Sequence, residues 1–96
     1  MLHIVSKSPF ADSALDGCLS RWRDGDALIL IEDAVIAALA GGLFASRLAE
    51  LPIYVLIPDL EARGLTVKAL VTGVTRVDYE GFVDLCAAQP ASLSWL

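Results

Sequence analysis

The run ALILI at residues 27–31 constrains this chain more than any other feature. It is apolar throughout, without the polar alternation of a strand that has one wet face. It reads as a strand that needs cover on both sides. An Asp24-Gly25 turn leads into it, and Pro52 opens a second such run, IYVLI, at residues 53–57. Strands of this kind belong to parallel sheets sandwiched between helices. The segments between them carry helical spacing. Residues 14–23 place Leu15, Cys18, Leu19 and Trp22 on one stripe, with Asp12 or Ser13 available as a cap and Gly17 open to close packing. Residues 34–51 continue a helical pattern that breaks at Gly41-Gly42. Asp59 opens a short helix over 60–63, ended by Gly64. Residues 79–88 form a helix with Phe82, Val83, Leu85 and Cys86 inward, stopped by Pro90. Shorter β-type runs occupy 2–6 and 74–77, residues 92–96 fit an edge strand, and 65–73 carry no clear period. The order predicts a three-layer α/β/α sandwich with a mostly parallel sheet of about five strands. It forms one domain over residues 1–96.

Composition then narrows the function. Of 96 residues, 56% are hydrophobic and 20% charged. A domain this small has too little interior for that much apolar surface. Part of it is therefore expected to lie against other subunits. The net charge of −5 argues against gripping a phosphate backbone directly. The longest uncharged run, 34–45, is too short for a membrane span and contains Gly41 and Gly42. The N-terminus lacks the apolar core of a signal peptide, so a cytoplasmic location and reduced thiols are the expectation. No glycine-rich nucleotide motif follows the first strand, and only His3 could join Cys18 and Cys86 as a soft metal ligand. Neither a cofactor nor a metal is expected.

A few residues could still carry chemistry. In ILIEDAVIAAL (29–39) two adjacent acids, Glu32 and Asp33, stand at the carboxyl end of the second strand. Open α/β sheets bind ligands there. The same acids suit the start of a helix, with Asp33 as cap and both favoured by the helix dipole. Neighbours on a strand point to opposite faces, so the two should not converge as an acid/base dyad. Cys18 has two readings. As a thiolate beside Arg21 and Arg23 it could carry persulfide sulfur. On the stripe with Leu15, Leu19 and Trp22 it is a small core residue. Cys86 sits on the inward stripe of its own helix, His3 reads as a hydrogen-bonded strand residue, and Trp95 in the ending SLSWL reads as a packing or interface anchor.

Four segments, LHIVSKSPF, GDALILIEDAVIAAL, YVLIPDLEARGL and VDYEGFVDL followed by SLSWL, resemble in order and spacing the TusB/DsrH family. The likeness covers nearly the whole chain. It implies a compact DsrE-like α/β sandwich. It also implies one of three related subunits in a heterohexamer, with TusC/DsrF-like and TusD/DsrE-like partners. The implied work is sulfur relay, either towards 2-thiolation of the wobble uridine of tRNA or in the oxidation of reduced sulfur. The principal sulfur-carrying cysteine would belong to the D/E-type partner, and sulfur would pass to a downstream acceptor protein. This chain would then be an auxiliary subunit of the sulfurtransferase complex. DsrH-like members carry a cysteine in the first helix, where Cys18 stands. That feature makes Cys18 the candidate persulfide carrier and pulls slightly towards the oxidation branch, but sulfur oxidation is the more specialised physiology, so tRNA thiolation is the expected route and a DsrH-type oxidation subunit the alternative. A homo-oligomeric ligand-binding module is the remaining reading, with self-association covering the apolar excess.

Overall fold

A computed structural model describes residues 1–95. Five strands, β1 (Leu2–Val5), β2 (Ala27–Leu30), β3 (Ile53–Leu56), β4 (Thr75–Val77) and β5 (Ser92–Trp95), form one sheet in the order β4-β3-β2-β1-β5. Every pairing is parallel. The helical elements are α1 (Ala14–Ser20), a 3-10 helix (Glu32–Ala38), α2 (Ala45–Leu48), α3 (Ile57–Ala62) and α4 (Tyr79–Ala88).

The strand order explains how the helices are distributed. Parallel crossovers are right-handed almost without exception. From β1 to β4 the chain steps in one direction, so α1, the 3-10 helix, α2 and α3 share one face. The single reverse step, from β4 across to β5, places α4 on the other. The buried residues divide accordingly. Among the described residues, Leu15, Cys18, Val35, Leu48 and Leu60 join Val5, Leu28, Leu30, Ile53 and Val55 in the larger core. On the opposite face the buried cluster is Leu2, Ala27 and Ile29, with Ile4, Ile31, Tyr54, Phe82 and Leu85 partly covered. β2, the run that opened the sequence, is buried at all four positions because its residues alternate between these two cores.

Several boundaries differ from the sequence expectation. Helix α1 stops at Ser20, and the chain turns back through Arg23, whose N–H donates to the Asp26 carboxylate at 3.0 Å. Its start is anchored by Asp12, which accepts the Ala14 N–H at 2.8 Å. Gly17 permits close packing: a Cβ there would stand 3.3 Å from the Trp95 ring. The expected helix over 34–51 is a 3-10 helix and one turn of α-helix, separated at Gly41, which has φ +79°. Small buried residues at Ala34, Ala37 and Ala38 let the 3-10 segment lie close over the sheet. Helix α3 begins earlier than expected because Pro58 occupies its first turn, where no N–H is needed. Residues 65–73 form turns, with Leu70 bridging to Leu39. Helix α4 has the expected bounds, but Val83 and Cys86 point outward rather than inward. Leu96, placed in the expected last strand, lies outside the described residues. Among the described residues, no helix is long and apolar enough to cross a membrane.

Candidate functional site

The order β4-β3-β2-β1-β5 reverses between β1 and β5, and ligand clefts in such sheets open beyond the carboxyl ends of strands near that reversal. A cleft of about 430 Å³ lies beyond the carboxyl ends of β1 and β2, lined by Ser6, Lys7, Asp12, Glu32 and Asp33 among others. Glu32 and Asp33 do share this cleft. The opposite-face rule for strands does not apply, because the strand ends at Leu30 and Glu32 takes φ +49°. That conformation costs a side-chain-bearing residue on the order of 1–2 kcal/mol. It is held by Asp59, whose carboxylate accepts the Glu32 N–H at 2.6 Å.

Asp33 does not cap a helix. Its carboxylate receives Arg63 Nε at 3.1 Å and Nη2 at 2.8 Å, and Arg63 also donates to the Asp59 carbonyl at 3.1 Å. The helical turn begins at Glu32 itself, so Asp33 lies inside it and its side chain is free to reach Arg63. The three residues tie the loop after β2 to α3. Asp12 is likewise occupied at the start of α1. The cleft is thus a polar surface in which Asp12 and Asp33 are already engaged, and neither cysteine lines it. Among the described residues, no group of three His, Cys, Asp or Glu side chains converges as a metal-holding set.

The second polar centre is buried beside α1. His3 on β1 is 4% exposed, and its Nε2 lies 2.8 Å from Asp26 Oδ2. The Trp95 indole N–H donates to His3 Nδ1 at 3.0 Å. An indole nitrogen can only donate, which assigns His3 Nδ1 as acceptor and leaves the proton on Nε2. Asp26 also receives the Met1 ammonium at 3.3 Å. Burial alone would push the Asp26 carboxyl up. Its hydrogen bonds from His3, the Arg23 amide and the ammonium outweigh that and hold it below the usual carboxylate value. His3 is therefore the hydrogen-bonded strand residue expected of it. Trp95 packs on its own domain, under the Arg21 guanidinium at 5.6 Å.

Cys18 stands at 0% exposure on the inner side of α1. Burial first, and the nearby Asp26 charge second, push its thiol up to about 12. It holds its proton at neutral pH, whereas the nucleophilic form is the thiolate. The proximity of Arg21 and Arg23 in sequence does not help, because both side chains lie on the exposed side while Asp26 faces the core. Cys86 is exposed on α4, remote in the fold from the strand-end cleft.

The pattern of residues had not pointed to Asp26, Asp59 or Arg63 as organising groups. Besides short-range contacts, each has a partner 23 to 30 positions away, as with His3–Asp26 and Asp33–Arg63. An acid immediately before an apolar strand, in DGDALIL, is the one local signal for Asp26.

Comparison with known proteins places this geometry. The chain is 45% identical to Protein TusB of Pectobacterium parmentieri over 97 aligned positions, covering 99% of this chain and all of the relative. It is 43% identical to Protein TusB of Klebsiella pneumoniae (strain 342) and 37% to Protein TusB of Escherichia coli (strain K12 / DH10B), each with 99% of this chain and 100% of the relative covered. The backbone matches the crystal structure of the ychN protein from E. coli with a TM-score of 0.82 at 18% identity, covering 97% of each chain. That likeness concerns the fold, and the expected α/β sandwich on a five-stranded sheet is the one observed. Residues 7–92 match the family described as DsrH like protein, and with the full-length TusB relatives this shows that the chain belongs to the TusB/DsrH family.

Proposed function

We propose that this chain is an auxiliary subunit of a sulfur-relay complex, with TusC/DsrF-like and TusD/DsrE-like partners in a heterohexamer. The full-length similarity to proteins named TusB carries this reading. It favours the branch leading to 2-thiolation of the tRNA wobble uridine over sulfur oxidation. The net charge of −5 supports a chain that acts on proteins and leaves tRNA to others.

The auxiliary role rests on the state of Cys18. Sulfane sulfur moves when an acceptor thiolate attacks the outer sulfur of a donor persulfide and the donor leaves as a thiolate. A thiol at 0% exposure, with its pKa raised to about 12, supplies neither access nor charge for either role. A carrier role for Cys18 would require α1 to move off the sheet. The half-covered residues Ile4, Ile31 and Tyr54 are what a subunit completed by neighbours would show.

Co-expression with the two partner types followed by native mass measurement tests the proposal. It predicts one assembly holding all three chains, two copies of each. A chain that remains a separate, stable monomer contradicts it.

A further inference from the structure

The two edges of the sheet are treated differently. At β4 the edge is fastened down. Arg76 donates to the Thr66 carbonyl at 2.8 Å and the Lys68 carbonyl at 3.2 Å, drawing the preceding loop alongside the strand. Charged residues and covering loops are the usual protection of an edge. β5, reading SLSW, has neither lysine nor proline within it, and Ser92, Leu93 and Ser94 are exposed. Its free side can be identified. Leu2 N–H donates to the Ala91 carbonyl at 2.9 Å, and Leu2 is in register with Ser92. The alternation of a parallel ladder therefore turns the main-chain groups of Leu93 and Trp95 towards β1 and those of Ser92 and Ser94 outward.

Beside this edge lies a cavity of about 320 Å³ lined by Arg21, Arg23, Leu93 and Trp95 together with the buried His3–Asp26 pair. The Asp26 carboxylate is already engaged by three donors. Among the described residues, neither arginine side chain forms an ion pair, in contrast to Arg47 with Asp16 and Arg63 with Asp33. Arg21 is steadied over the Trp95 ring at 5.6 Å. Among the described residues, an acidic chain thus keeps two cations without an ion pair beside a strand edge that no charged residue of its own protects.

We propose that β5 is a docking edge for an extended, acidic segment of a partner protein. The segment adds to the sheet through Ser92 and Ser94 and sets its carboxylates against Arg21 and Arg23. The charges select this occupant over a second copy of the chain. Antiparallel self-pairing would bring two Arg21/Arg23 clusters to the same side of a joined sheet, where like charges repel. The inference rests on the reading of this chain as one subunit among protein partners.

Hydrogen exchange on the assembled complex, compared with the free chain, tests it. The expected result is slowing of the Ser92 and Ser94 amides by roughly tenfold or more on assembly, as for amides entering a ladder. Two variants sharpen the test. Ser94→Pro removes an outward donor that the fold does not use, and Arg21→Glu/Arg23→Glu reverses the charges. Each should weaken assembly by roughly tenfold or more while the isolated chain still unfolds as a cooperative, folded domain. A complex that forms with both amides exchanging as in the free chain overturns the docking edge and leaves the subunit reading intact. A free chain that self-associates through β5 overturns the choice of occupant. Failure of any complex to form removes both proposals.

Discussion

The two faces of the sheet share the same strands yet differ in cover. On one, four helical elements bury a continuous core that includes Leu28, Val55 and Leu60. On the other, ten-residue α4 works alone and has no buried residue of its own. Strand composition does not cause this, since β2 is apolar on both sides. Topology does: three crossovers step one way and one steps back. A face covered by one helix keeps apolar surface half-exposed however good the individual packing is.

Mutations should make the asymmetry measurable. Leu28→Ala on the thick face empties a fully enclosed site, and about 2–5 kcal/mol should be lost in urea unfolding. Phe82→Ala on the thin face should cost about 1 kcal/mol in the isolated chain, because its ring is already partly wet. Equal effects would mean the faces are equivalent and the topological account is wrong.

The buried polar centre belongs to the thick side, and pH probes it. The Asp26 pKa is lower in the folded chain than in the unfolded one, so the unfolded chain takes up the proton first as pH falls. The stabilisation is complete above roughly pH 4 and is lost as pH drops through the folded-state value. Asp26→Asn should lower neutral-pH stability by about 1–3 kcal/mol and flatten the acid side of the stability profile. An unchanged acid slope would show that Asp26 is not the group involved. The smallest effect is expected from Val83→Ser on the outer side of α4, within about 0.5 kcal/mol for the isolated chain.

The strands were legible because uninterrupted runs such as ALILI and IYVLI leave no other comfortable structure. Helix α4 was legible in extent, since Asp78 caps it by accepting the Gly81 N–H at 2.8 Å and Pro90 follows it. Its orientation was not. Phe82 and Leu85 mark one apolar side, Tyr79, Val83 and Cys86 another, and only the sheet decides between them. Nor was the organisation of the acids legible. Asp33 had a local task available as a cap, but Arg63, distant in sequence, offered a two-donor ion pair. For Cys18 the helical stripe already suggested burial. The structure adds the carboxylate of Asp26, which raises the cost of a second negative charge nearby.

Persulfide mapping on the reconstituted complex tests the central claim most directly. The complex is charged with isotopically labelled sulfane sulfur, digested without reductant and read by peptide mass spectrometry. The account predicts label on a partner's cysteine and an unmodified Cys18 peptide, with transfer to the acceptor unaffected by Cys18→Ser. Label on Cys18 that passes to the acceptor, and is lost with Cys18→Ser, would contradict it.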